Sequence, residues 1–106
     1  MILVGDWIVR LMRYSGRWMS IADDRVLEFL DESGPAAPKR MKEEGRIPYT
    51  RQYVAERCRT LADHGMIRRL GNGVYEVTEV GEAYLAGELD ASELTAEEGD
   101  ESNESA

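Results

Sequence analysis

The sequence predicts an α+β fold that is mostly α: a three-helix core, a short β-hairpin wing and a C-terminal helix. Three observations carry this expectation. Between Arg51 and His64, the residues Val54, Cys58 and Leu61, with the small Ala55 and Ala62, fall on one face at about 100° per residue. Two β-like runs follow, Met66-Ile67-Arg68-Arg69-Leu70 and Val74-Tyr75-Glu76-Val77, joined by Gly71-Asn72-Gly73, which supplies the positive φ angles of a tight hairpin. Arginines sit on the helix and again at the base of the hairpin, and that order is how a winged helix-turn-helix presents itself to DNA.

The elements divide the chain into three parts: an N-terminal amphipathic helix (1–17), a main domain (18–90) and an acidic tail (91–106). In residues 2–12, Leu3, Val4, Trp7, Ile8, Leu11 and Met12 share one helical face, and Tyr14-Ser15-Gly16 ends it. Three readings stay open for this stripe: a dimerisation helix, a helix folded onto its own domain, or residues preceding a true start at Met12 or Met19. The next helix begins near Ser20 or Asp23, with Ala22, Val26, Leu27, Phe29 and Leu30 as its apolar positions. Asp23 and Asp24 suit its N-terminus, and Gly34-Pro35 stops it. A short polar helix over Ala36 to Glu44 has Met41 as its main apolar anchor. Pro48 ends the loop after it, and Thr50 is placed to cap the following helix. Gly65 can close that helix in a left-handed conformation. Thr78, Glu79 and Glu82 read as a cap and acidic first turn for a last helix through Ala83, Tyr84 and Leu85. After Leu89 the composition predicts disorder.

Composition narrows the function classes. A chain of 106 residues with 42% apolar content makes one small domain. It has no apolar run near the roughly 20 residues of a membrane span, and no secretory signal, so a cytoplasmic location is expected. The lone Cys58 excludes an internal disulfide framework. The net charge of −8 is unevenly spread, because Glu88–Ala106 carries eight acidic residues and no basic one. Residues 1–87 are therefore balanced, and Arg46, Arg51, Arg57 and Arg59 face only Glu56 in the stretch 46–60. A local basic patch of that kind matters more for nucleic acid than the overall sum. Arginine exceeds lysine, which occurs only as Lys39 and Lys42; both a salt-rich cytoplasm and a GC-rich genome produce that skew. The tail is open to two readings, a nucleic-acid mimic that competes for the basic helix, or a solubilising terminus.

The candidate site is a DNA interface. Thr50, Arg51, Gln52 and Tyr53 occupy the N-terminal end of the reading helix and are the base-facing candidates. Arginine can pair with guanine and glutamine with adenine, each worth about 1–3 kcal/mol of discrimination. Arg46, Arg57, Arg59, Arg68 and Arg69 are candidates for phosphates, although Arg68 and Arg69, adjacent on a strand, point to opposite faces. Gly71, Asn72 and Gly73 form the wing tip, which can reach DNA only through backbone groups and Asn72. The plain alternative is a solvated helix face, since such residues are common there. Cys58 is spaced like a core residue, and its other reading is a redox switch tuned by a neighbouring arginine. One cysteine and the single His64 cannot assemble a four-ligand zinc site. No catalytic constellation, cofactor, metal or small-molecule site is evident, and no enzyme is expected.

Beyond these patterns, Trp18-Met19 and Ala22-Asp23-Asp24-Arg25-Val26-Leu27-Glu28-Phe29-Leu30 resemble the opening of small haloarchaeal winged-helix proteins. Those proteins are related to a halophage repressor and sit near the MarR-like and PadR-like regulators. The resemblance continues through Tyr53-Val54, Arg57-Cys58-Arg59, Leu61-Ala62, Gly65-Met66-Ile67, Gly73-Val74-Tyr75, Thr78, Gly81 and Ala83 to Leu89. It implies a double-stranded DNA-binding transcriptional regulator of repressor type. The chain departs from the family pattern between Pro38 and Pro48, where the linker is longer and more charged. A homodimer on a paired half-site is the expected assembly, and a winged helix used only for protein–protein contact is the rival.

Overall fold

The computed structural model describes residues 13–95; the amphipathic stripe at 2–12 and the acidic stretch 96–106 lie outside the described residues. Helix α1 (Ile21–Ser33) starts where Ser20 takes an extended conformation and its N–H donates to Asp23 Oδ2 at 3.1 Å. Ala22, Val26, Leu27 and Leu30 form its buried stripe, while Phe29 is half-buried beneath the Arg40 guanidinium. Gly34 then turns out of the helix at φ 86°.

Helix α2 (Pro38–Gly45) opens on a proline in its first turn, where the missing N–H costs nothing. Met41 is fully buried against the Cys58 sulfur, Sγ to Sδ 3.7 Å. Burying that one side chain contributes about 1.5–3 kcal/mol, which is how so polar a helix is held. The longer, charged linker therefore leaves α2 packed into the core, with Ile47 buried just beyond it.

Helix α3 (Arg51–Asp63) is capped as expected, Thr50 Oγ1 accepting from the Tyr53 N–H at 3.0 Å. Val54, Cys58 and Leu61 face the core. At its end Gly65 takes φ 82°, and the N–H groups of Gly65 and Met66 donate to the carbonyls of Ala62 and Leu61, both at 3.0 Å. That pair of bonds is a Schellman closure.

Strands β1 (Ile67–Gly71) and β2 (Val74–Val77) pair antiparallel with Ile67 opposite Val77, Arg68 opposite Glu76 and Arg69 opposite Tyr75. The register slips between Arg69 and Gly71, leaving Leu70 exposed as a bulge. Ala36 exchanges two backbone hydrogen bonds with Tyr75, each 3.0 Å, so the segment before α2 serves as a third short strand. Helix α4 (Glu79–Leu85) is capped by Thr78, whose hydroxyl accepts from the Gly81 N–H and donates to the Gly65 carbonyl at 2.7 Å. Gly81 is required by contact: a Cβ there would lie 2.4 Å from the Met66 carbonyl oxygen.

One boundary differs from expectation. The disorder expected from residue 91 does not begin there: Ala91–Glu93 forms a 3₁₀ turn with Ala91 fully buried. Ala91 donates its N–H to the Tyr14 carbonyl at 2.8 Å, and its own carbonyl accepts from Trp18 Nε1 at 3.1 Å. The main domain thus extends on both sides of 18–90, since Arg13 also reaches Glu28 and the Leu85 carbonyl.

Candidate nucleic-acid interface

The site is organised by α3, whose two flanks meet different surroundings. On one flank, the Arg57 guanidinium grips Asp23, Nε to Oδ1 2.8 Å and Nη2 to Oδ2 2.7 Å, and Nη2 also donates to the Trp18 carbonyl at 2.8 Å. Tyr53 is half-buried on the same flank, its hydroxyl 3.4 Å from Ser20 Oγ and its ring 5.2 Å from that of Tyr49. His64 completes the flank, stacked on Trp18 with ring centroids 3.7 Å apart and Nδ1 2.9 Å from the Thr60 carbonyl. These contacts fasten α3 to the start of α1.

Two of the expected contacts change accordingly. Arg57 is an internal strut whose charge is spent on a fully buried carboxylate, so it is not available as a phosphate contact. Tyr53 turns its hydroxyl toward Ser20, and its exposed aromatic neighbour at the helix start is Tyr49.

The other flank is open. Arg51, Gln52 and Ala55 line a groove whose far walls are Ala37, Pro38 and Lys39 at the start of α2 and Gly73 at the wing tip. Helix α3 and the hairpin tip are therefore brought together, and Lys39 joins them. Sequence reasoning missed Lys39; the available signal was Pro38, which marks a first helical turn and so places Lys39 beside the helix's unpaired N–H groups. Gly71 and Asn72 are exposed at the tip with φ of 107° and 54°. Arg46 is exposed at the end of α2 in the left-handed conformation, and Arg59 is exposed along α3.

Ion pairing sorts the cations. Arg13, Arg25, Arg40, Arg57, Arg68 and Arg69 each have a carboxylate partner. Arg68 pairs across the hairpin with Glu76, as their register requires, and Arg69 lies 3.9 Å from Asp63. Among the described residues, Lys39, Lys42, Arg46, Arg51 and Arg59 have no carboxylate partner, nor does Arg17. Five of these six thus sit on α2, α3 or the loop between them; of the acids on the same elements, Glu44 and Asp63 pair with Arg40 and Arg69, and the exposed Glu43 and Glu56 remain. Cys58 is buried, and burial first, then Asp23, pushes its thiol up to about 12. No group of three or more His, Cys, Asp or Glu side chains among the described residues could hold a metal. No helix among them is long and apolar enough to cross a membrane.

Three helices, a hairpin directly after the third and a cationic groove between second helix, third helix and wing define a winged helix-turn-helix. The chain matches the winged helix-turn-helix phage repressor family over residues 12–97 and belongs to it. It is 36% identical over 85 residues to a repressor protein of Halobacterium phage phiH, spanning 73% of this chain and 90% of that one. Its fold is similar to the crystal structure of the PhiH1 repressor-like protein from Haloarcula marismortui, with TM-score 0.75, 45% identity and coverage of 79% and 96%. A MarR family regulator from Neisseria meningitidis is more distant, at TM-score 0.54 and 26% identity over 80% of this chain and 58% of that one.

Proposed function

We propose that this protein is a transcriptional repressor that binds specific sites in double-stranded DNA as a homodimer. The observation that supports the reading is the separation of cations: Arg57, facing α1, and Arg68, on the wing's first strand, are paired, while Arg51 and Lys39, which line the α2–α3 groove, have no carboxylate partner among the described residues. Unpaired guanidinium groups beside a protruding helix suit phosphate and base edges, because binding there breaks no internal ion pair. Arg51 and Gln52 are the base-facing residues, and Lys39, Arg46 and Arg59 hold phosphates. The Gly71-Asn72-Gly73 tip approaches the backbone next to them. The family's phage repressors support the regulatory sense.

Selection of bound sequences from a random duplex pool, at low and high salt, tests the reading and yields the operator. Arg51→Ala should relax the selected preference, with a loss of about 1–3 kcal/mol on the best site. Arg59→Ala should weaken all duplexes alike and lower the slope of log affinity against log salt by about one. Equal loss of preference in both variants would contradict these roles. No binding to any duplex at low salt would leave a protein–protein module instead.

A further inference from the structure

The acidic stretch 96–106 holds Glu97, Glu98, Asp100, Glu101 and Glu104 and no cation. It follows a fixed point. Ala91 is buried, its carbonyl accepts from the Trp18 indole, and that indole is stacked on His64 at the C-terminal end of α3. Leu94 packs against the core three residues later. The chain therefore leaves the described domain close to the end of the helix that carries Arg51 and Arg59, which have no carboxylate partner among the described residues. Extended, residues 96–106 span at most about 36 Å. The 13 residues of α3 rise about 20 Å, so the stretch is long enough to follow the helix to its start.

We propose that the outer face of α3, with Lys39 and Arg46 at its edges, is a docking surface for this chain's own acidic segment 96–106, which competes there with DNA. The competition rests on the DNA-binding reading; the docking does not. Single exposed ion pairs are weak, but a short tether supplies an effective concentration on the order of millimolar. Screening sets the working range: the Debye length falls from about 10 Å at 0.1 M salt to about 3 Å at 1 M. The segment therefore covers the helix at low salt and releases it at molar salt. A competitor for one face lowers the apparent affinity for every duplex by the same factor.

Paramagnetic broadening decides the docking. A spin label on the S105C variant of the full chain reports where the segment spends its time, and Cys58, buried with its thiol at about 12, does not react in its place. At about 0.05 M salt the amides of Arg51, Gln52, Glu56 and Arg59 should broaden, and at about 1 M salt they should not. The combined Glu97→Gln, Glu98→Gln, Asp100→Asn, Glu101→Gln and Glu104→Gln variant, which keeps the length, should lose the broadening. Unlabelled, it should bind both a selected and a random duplex about tenfold more tightly at low salt, and within about twofold of the native chain at molar salt. Broadening that is centred away from α3, or that survives neutralisation, overturns the proposal. Unchanged duplex affinity on neutralisation overturns the competition. If neither chain binds any duplex, the DNA-binding reading falls, while the broadening still decides the docking.

Discussion

Removing Arg57 strands Asp23, a carboxylate with no solvent exposure, and the two ends of that ion pair are 34 residues apart. Arg57→Met is expected to cost about 3–5 kcal/mol, because the surviving charge is buried and uncompensated. Urea unfolding of this variant checks it, and a midpoint near that of the parent would mean that Asp23 finds another partner. Cys58 makes the complementary case. With its thiol pushed up to about 12, alkylation at pH 8 should be very slow in the folded protein and rise with denaturant along the unfolding curve. The role of Cys58 was legible in the sequence, because Val54 and Leu61 on the same helix reveal the face it occupies. That of Arg57 was not, since its partner lies on another helix and charge alone does not distinguish a strut from a contact. Arg51 and Gln52 line the open groove beside Lys39 and Gly73.

At the scale of elements, the local signals were the reliable ones. Thr50, Gly65, Gly71-Asn72-Gly73 and Thr78 act through neighbours two to five residues away, so their spacing alone locates α3, the hairpin and α4. Thr50→Ala should cost about 1 kcal/mol of stability through the lost cap. Gly81→Ala should cost more, since its methyl would meet the Met66 carbonyl and the Val77 side chain at 2.4 and 2.8 Å. Thermal melting of both variants gives the ranking, and a milder effect at Gly81 would show that α4 can slide. What stayed hidden were the elements that exist only through distant partners. A lone residue, Ala36, becomes a strand because Tyr75 is beside it, and Ala91 becomes core because Tyr14 and Trp18 meet it. Neither carries a local pattern, and in the second case an acidic composition pointed the other way.

For the whole molecule, one carboxyl and one phenol bound the stable pH range. Glu28 is partly buried, which alone would raise its pKa, but hydrogen bonds and charge from Arg13 and Arg25 outweigh this and hold it below its ordinary value of 4.5. A carboxyl so lowered contributes stability above its unfolded pKa and gives it up as pH falls through the folded one. Tyr84 lies at the other limit: burial, with Asp24 accepting its proton at 2.7 Å, raises it to about 12 against the donation from Ser15. Its contribution is complete below its ordinary value of 10 and lost as pH rises toward 12. Denaturation midpoints against pH should therefore fall below about 4.5 and above about 10, with Glu28→Gln flattening the acid limb. The junction of Trp18 with Ala91 adds a consequence for the order of folding. It joins residues 73 apart in the chain, and closing so long a loop is rewarded only after the helices between have assembled. The seam between Trp18 and Ala91 is then the last part to close and the first to open. In a Trp7→Phe background the emission of Trp18 should shift before helical signal is lost, and amide exchange at Ala91 should outpace that at Val54.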